Sequence, residues 1–129
     1  MSVDTNMNIL IVDDYKTMLR IIKNLLKQLD FNNVDEATDG EEALEKLEQQ
    51  TYGLVISDWN MEPMTGLELL KAVRGGDTAN KNVPFIMVTA ESKTENVIAA
   101  KEAGVNNYIV KPFNAQTLKM KMVSVLGDF

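Results

Sequence analysis

The chain has 129 residues, enough for one domain with a single buried core, and a net charge of -6 that argues against bulk nucleic-acid binding. It has neither cysteine nor histidine, which excludes thiolate and imidazole metal sites and a Ser-His triad. No apolar run approaches the ~18 residues of a membrane span, and Met1–Asn6 lacks the basic flank and apolar stretch of a secretion signal, so a cytoplasmic, membrane-free location is expected.

Asn8–Val12 is an unbroken apolar run that reads as a buried strand, with Asp13-Asp14 at its end. From Tyr15 the pattern turns helical: Met18, Ile22, Leu25, Leu26 and Leu29 share a face, and Lys16, Arg20, Lys23 and Lys27 lie mostly opposite. Asp30–Asn33 is a turn, and Val34–Ala37 a short strand flanked by acids, so nearer an edge. Asp39-Gly-Glu-Glu42 has the spacing of a capping box and opens a helix carrying Ala43, Leu44 and Leu47.

A third strand, Leu54–Ser57, delivers Asp58 at its tip. Pro63 and Gly66 break the backbone, and Thr65-Gly-Leu-Glu68 repeats the capping-box spacing before a helix with Leu67, Leu70 and Val73 inward. Gly75-Gly76 is expected to stop that helix, and Asp77–Asn82 reads as a polar loop. Pro84–Val88 is the fourth strand, tipped by Thr89-Ala90; Thr94–Ala103 is a helix closed by Gly104. Tyr108–Val110 is the fifth strand, tipped by Lys111-Pro112, and Asn114 caps a last helix with Leu118, Met122, Val125 and Leu126 on one face.

Five apolar strands alternating with amphipathic helices predict an α/β fold, a doubly wound parallel sheet covered on both sides by five helices. Right-handed crossovers place all strand C-termini at one edge. Strand two is the least apolar, so the expected order is 2-1-3-4-5, that of flavodoxin-like sheets. The whole chain, 1–129, reads as one domain with no second domain after Phe129.

At that edge Asp13, Asp14, Asp58, Thr89 and Lys111 converge. Taken singly, each has an ordinary role: the acid pair can cap a helix, Asp58 can cap a loop, Thr89 can sit in a turn and Lys111 in solvent. Together they make a specific pattern. Crowded carboxylates repel and raise one another's pKa, and a hard cation removes the conflict. Oxygen-only ligands suit Mg²⁺, and a hydroxyl and an ammonium beside it offer a place for phosphoryl oxygens.

Val12-Asp13-Asp14, Ser57-Asp58-Trp59-Asn60-Met61, Val88-Thr89-Ala90-Glu91 and Val110-Lys111-Pro112-Phe113 resemble the signature of two-component response regulator receiver domains. Phe31–Val34, Gly66–Lys71 and Glu95–Ala100 are similar to the CheY-like, single-domain chemotaxis members of that family. The resemblance implies that Asp58 accepts a phosphoryl group. It implies that Asp14, Asp58 and the backbone carbonyl of Asn60 ligate Mg²⁺, with Asp13 acting through a water. It implies that Thr89 and Lys111 hold the phosphoryl oxygens, that Lys111-Pro112 is cis, and that Thr89 and Tyr108 act as a switch. Asn60 and Glu91 are implied to tune dephosphorylation. The partner surface is expected to carry Lys93, Asn96, Tyr108, Val110, Lys119 and Lys121.

The implied partners are a histidine kinase, a flagellar motor switch or other phosphorylation-dependent target, and a phosphatase, with the domain a monomer that is not an enzyme beyond its own phosphorylation and dephosphorylation. A phosphate sink or phosphorelay intermediate carries the same site residues and stays open. A phosphatase of the haloacid dehalogenase type needs an acid two residues after the nucleophile, where this chain has Asn60. A flavodoxin-like flavin carrier is disfavoured because Asp13-Asp14 would repel its phosphate. The chain departs from the family pattern at Glu62-Pro63, where the proline comes one place late, at Thr65, where aspartate is frequent, and at Thr94, where a second lysine is common.

Overall fold

The computed structural model describes residues 3–90 and 93–129. The elements run β1 (Ile9–Val12), α1 (Lys16–Gln28), β2 (Val34–Ala37), α2 (Gly40–Gln49), β3 (Leu54–Asp58), α3 (Gly66–Gly75), β4 (Phe85–Thr89), α4 (Thr94–Glu102), β5 (Asn107–Val110) and α5 (Ala115–Leu126). The five strands are all parallel in the order β2-β1-β3-β4-β5, as expected.

Successive strand residues point to opposite faces, so each apolar run feeds two cores. Ile9 and Ile11 pack with Leu19, Ile22 and Leu26 of α1 and Leu118 and Met122 of α5. Leu10 and Val12 face the other way, onto Ala43 and Leu47 of α2 and Leu69, Leu70 and Val73 of α3. Both faces are thus dry, which is why β1, β3 and β4 need uninterrupted apolar sequence. Edge strand β2 does not, and its Glu36 is exposed.

The expected stripes of α1 and α5 pack into one core, at differing depths, while that of α3 differs. In α1 the buried positions are Leu19, Ile22 and Leu26, with Met18, Leu25 and Leu29 only half-buried. In α3 Leu69 is buried and Leu67 half-buried, a difference set by how the helix rolls against the sheet. In α5 Leu118 and Met122 are buried, with Val125 and Leu126 half-buried. Gly76 ends α3 in an extended conformation (φ -85°), not the left-handed one, which Gly104 after α4 does adopt (φ 97°). Thr65 and Glu68 form the full capping box. Asp39 accepts from the Glu42 N–H at 2.8 Å, but the Glu42 carboxylate accepts from Thr38 N–H, one residue earlier than expected.

The loop Asp77–Asn82 is not wholly solvated. Asn80 is buried, accepting from Tyr52 N–H and donating to the carbonyls of Leu47 and Gln50. Arg74 reaches across from α3 to the carbonyls of Gly104 and Lys81 and the Asn106 side chain. These contacts tie down the edge remote from the acidic residues and leave the other edge to carry chemistry.

Candidate functional site

The strand register decides which tips meet. Val12 pairs with Ser57 and Asp58 with Val88, so Asp13, one residue past β1, is level with Asp58 at the end of β3. Thr89 pairs with Val110, which sets Lys111 just beyond. Backbone bonds extend the ladder past these tips: Trp59 N–H donates to Val88 O and Lys111 N–H to Thr89 O, each at 2.8 Å. The α3 N-terminus is pressed against β3, where a Cβ on Gly66 would stand 2.3 Å from the Asp58 carbonyl oxygen. Only glycine fits there, so that spot is fixed for packing beside the site.

The structure brings one carboxylate oxygen each of Asp13, Asp14 and Asp58 within 4.8 Å of one another. Asp13 and Asp58 are 1% and 5% exposed, while Asp14 faces solvent. The Lys111 ammonium is 2.9 Å from Asp58 Oδ1 and 3.7 Å from Asp13 Oδ2. The first distance is a charge-assisted hydrogen bond, the second only a coulombic contact. Asp13 Oδ1 accepts from Tyr15 N–H at 2.9 Å, but its buried Oδ2 has no hydrogen-bond partner.

Burial is the main force on these acids. It pushes the Asp13 carboxyl up to about 6, against the Tyr15 N–H, with the nearby Asp58 charge adding to the rise. Burial also raises Asp58, against the hydrogen bond and charge of Lys111. An orphaned buried carboxylate oxygen beside two further carboxylates, one reachable from solvent, is an incomplete arrangement that a hard divalent cation would complete. The donor set is all oxygen, which suits Mg²⁺ or a similar ion. Asp13, Asp14 and Asp58 are the side chains that fit it.

An open cleft of about 440 Å³ lies over the acids, with Asn60 and Lys111 on its wall and Tyr15, Met18 and Ile21 on its rim. Tyr15 is 72% exposed there. The sequence reading missed this apolar rim; a tyrosine following an acid pair at the start of a helix was the signal available. Thr89 does not line the cleft. It borders instead a small apolar void shared with Trp59, Met87, Asn96, Val97, Ala100 and Tyr108. Thr89 therefore stands between the acidic edge and half-buried Tyr108.

Of the expected partner-surface residues, Lys121 stands over the Tyr108 ring at 5.2 Å, and Val110 and Lys93 are exposed. Lys119 is elsewhere: its ammonium lies 5.3 Å from the centre of the Phe129 ring. Two residues apart on a helix are about 200° apart, so Lys119 and Lys121 cannot share a face. Glu91 lies outside the described residues. Lys111-Pro112 is cis, as the resemblance implied, and so is Glu62-Pro63, which it did not.

The sequence profile of the response regulator receiver domain matches residues 9–123. Chemotaxis protein CheY-3 of Vibrio cholerae is 55% identical over 117 residues, 91% of this chain and 89% of that protein. Chemotaxis protein CheY of Pseudomonas aeruginosa is 53% identical over 119 residues, 92% of this chain and 95% of that protein. Among solved structures, Vibrio cholerae CheY4 superposes with a TM-score of 0.87 at 34% identity, covering 94% of this chain and 99% of that one. The receiver domain of a Pseudomonas aeruginosa sensor histidine kinase gives 0.84 at 25% identity over 95% and 99% of the two chains; it holds a magnesium ion in its active-site cleft.

Proposed function

This chain belongs to the response regulator receiver domain family, and from that premise we propose that it is a CheY-like chemotaxis switch, phosphorylated on Asp58 by a histidine kinase. The observation that carries the reading is the Lys111 ammonium at 2.9 Å from Asp58 Oδ1, inside a ring of carboxylates that includes an unsatisfied buried oxygen. Of the carboxylates at the open cleft, Asp58 is the one within hydrogen-bonding distance of the Lys111 ammonium.

Its free oxygen attacks the phosphorus of a phosphohistidine in line: the new P–O bond forms as the P–N bond breaks, and the electron pair leaves with the imidazole. Asp13, Asp14, Asp58 and the carbonyl of Asn60 would hold Mg²⁺, which when bound neutralises charge on the phosphoryl oxygens. Lys111, already beside Asp58, offers its ammonium to one of those oxygens. Thr89 offers its hydroxyl to another. Asn60, exposed at the cleft wall, borders the approach of the water that later hydrolyses the acyl phosphate. The phosphoryl group thus arrives from the phosphohistidine and leaves to water through Asp58 alone.

The readout follows from the void behind Thr89. Movement of Thr89 toward the phosphate enlarges it, and Tyr108 lines the same space. A tyrosine swung inward reshapes the surface of α4, β5 and α5 around Asn96, Val110 and Lys121. Phosphorylation shifts the population of that state by its differential affinity, and a target, in this reading the flagellar motor switch, binds it. The test is transfer of labelled phosphoryl from a phosphorylated chemotaxis histidine kinase. The parent chain and Thr89→Ala accept label, and Asp58→Asn does not. Equal labelling of Asp58→Asn overturns the assignment.

A further inference from the structure

Helices α2 and α3 lie side by side on one face of the sheet, and a groove of about 230 Å³ runs between them. Its floor is apolar: Leu47 and Val73 are buried at its base, half-buried Leu44 stands on the α2 side, and the exposed methyl of Ala72 stands on the α3 side. Glu48 and Asp77, both exposed, border it. A second open space of about 500 Å³ continues it past the end of α2, sharing Leu47, Glu48 and Asp77. Glu41, Glu45 and Glu48 follow one another at spacings of four and three, which keeps them within about 60° of one another as an exposed stripe along α2. Lys46 lies about 200° round the helix from Leu44 and from Glu48, and Lys71 about 200° from Val73, so neither cation faces the groove. Among the described residues, none pairs as a cation with Glu41, Glu45, Glu48 or Asp77. Both helices cross over between parallel strands and so run the same way. Their C-terminal ends, each carrying partial negative charge, therefore lie together at the Asp77 end.

We propose that this groove is a docking site for a basic amphipathic helix of a protein partner, held whatever the state of Asp58. An aliphatic side chain of that helix settles over Leu44 and Ala72, and lysines or arginines at a four-three spacing meet Glu41, Glu45 and Glu48. Nucleic acids and anionic membranes are repelled by the same acids. A second copy of this chain offers cations at Lys16, Arg20 and Lys23 but no anchor beside them, because Leu19 on that side of α1 is only 3% exposed. None of the groove's residues lines the cleft over Asp58 or the void beside Tyr108. A partner seated here leaves both uncovered and stays bound before and after phosphoryl transfer; this last step alone rests on the function proposed above.

The probe is an alanine-based helical peptide with lysines at four-three spacing and one leucine beside them, followed by fluorescence anisotropy. The parent chain is expected to bind it about tenfold more tightly than a peptide of the same composition with scattered lysines, and about fivefold more tightly than one with asparagine in place of the leucine. Glu45→Lys/Glu48→Lys is expected to lose about tenfold. Glu36→Lys/Glu95→Lys makes the same change in net charge at exposed acids that do not line the groove, and should alter affinity by less than about twofold. Ala72→Gln, at an exposed position, fills the groove with a polar chain and should lose about fivefold. Equal binding of the patterned and scattered peptides, an equal loss in the two double variants, or no loss in Ala72→Gln overturns the proposal. So does a dimer of the parent in sedimentation that Glu45→Lys/Glu48→Lys abolishes, since the groove then belongs to a second copy. Beryllium fluoride loading, read by Trp59 emission, should change peptide affinity by less than about twofold, and a larger change overturns the independence from Asp58. If Trp59 fails to respond, the phosphoryl reading falls, and the peptide comparison still decides the groove.

Discussion

Asn80 and Asp13 lie at opposite edges of the same sheet, each 1% exposed, and their polar atoms fare differently. Asn80 is complete: Oδ1 accepts from Tyr52 N–H at 2.8 Å, and Nδ2 donates to the carbonyls of Leu47 at 2.6 Å and Gln50 at 2.8 Å. Those bonds join the C-terminal part of α2 and the approach to β3 to the loop before β4. Asp13 is incomplete: one oxygen is satisfied by Tyr15 N–H, and the other, also buried, makes no hydrogen bond to the chain. A buried polar group with every bond made holds a fold together, whereas one left short is a place where something else is meant to bind. The two edges of this sheet separate those tasks.

The comparison is broken most forcefully at Asn80. Asn80→Ala leaves two carbonyls and an N–H buried without partners, and is expected to cost about 2–4 kcal/mol in urea unfolding while leaving the Mg²⁺ response intact. A loss below about 0.5 kcal/mol would mean that water replaces the amide and that the two edges are not distinct in this way.

Asp13 is expected to behave in the opposite sense. Its folded pKa of about 6 lies above its ordinary value of 3.8, so the folded state binds the proton more tightly. That contribution to stability is full below the unfolded pKa and is lost as pH rises through the folded one. Asp58, also raised by burial, acts in the same direction. In chelator, the melting temperature should fall between pH 4 and pH 6.5. Asp13→Asn, which keeps the acceptor for Tyr15 N–H but removes the charge, should flatten that slope and raise stability at pH 7.5 by roughly 1–2 kcal/mol, about 5 °C. Destabilisation in chelator would make Asp13 a structural cap.

Much of this was legible in the sequence because it depends on local pattern. Continuous apolar runs gave the strands, the acid-flanked Val34–Ala37 gave the edge, and right-handed crossovers collected Asp13, Asp14, Asp58 and Lys111 at one end. What escaped depends on long-range geometry. Asn80 looked like loop because its partners are backbone groups, one of them 33 residues away. Leu67 was expected inward with Leu70 and Val73, but the fully buried residues of α3 are Leu69, Leu70 and Val73, a difference set by how the helix rolls against the sheet. Lys119 was expected on one surface with Lys121, but rotation along α5 sends it to Phe129. Thr89 was expected both beside the acids and in front of Tyr108; it lines the void beside Tyr108 and not the cleft over the acids.

The central claim is that the incomplete edge is a Mg²⁺-dependent phosphoryl site, and the most direct measurement is a Mg²⁺ titration followed by Trp59 emission. Trp59 is half-buried and adjoins Asp58, and no other tryptophan is present to obscure it. The account predicts a saturable change at millimolar Mg²⁺ in the parent chain, weakened or lost in both Asp14→Asn and Asp58→Asn. A flat titration of the parent, or the same saturable change in all three proteins, would contradict it.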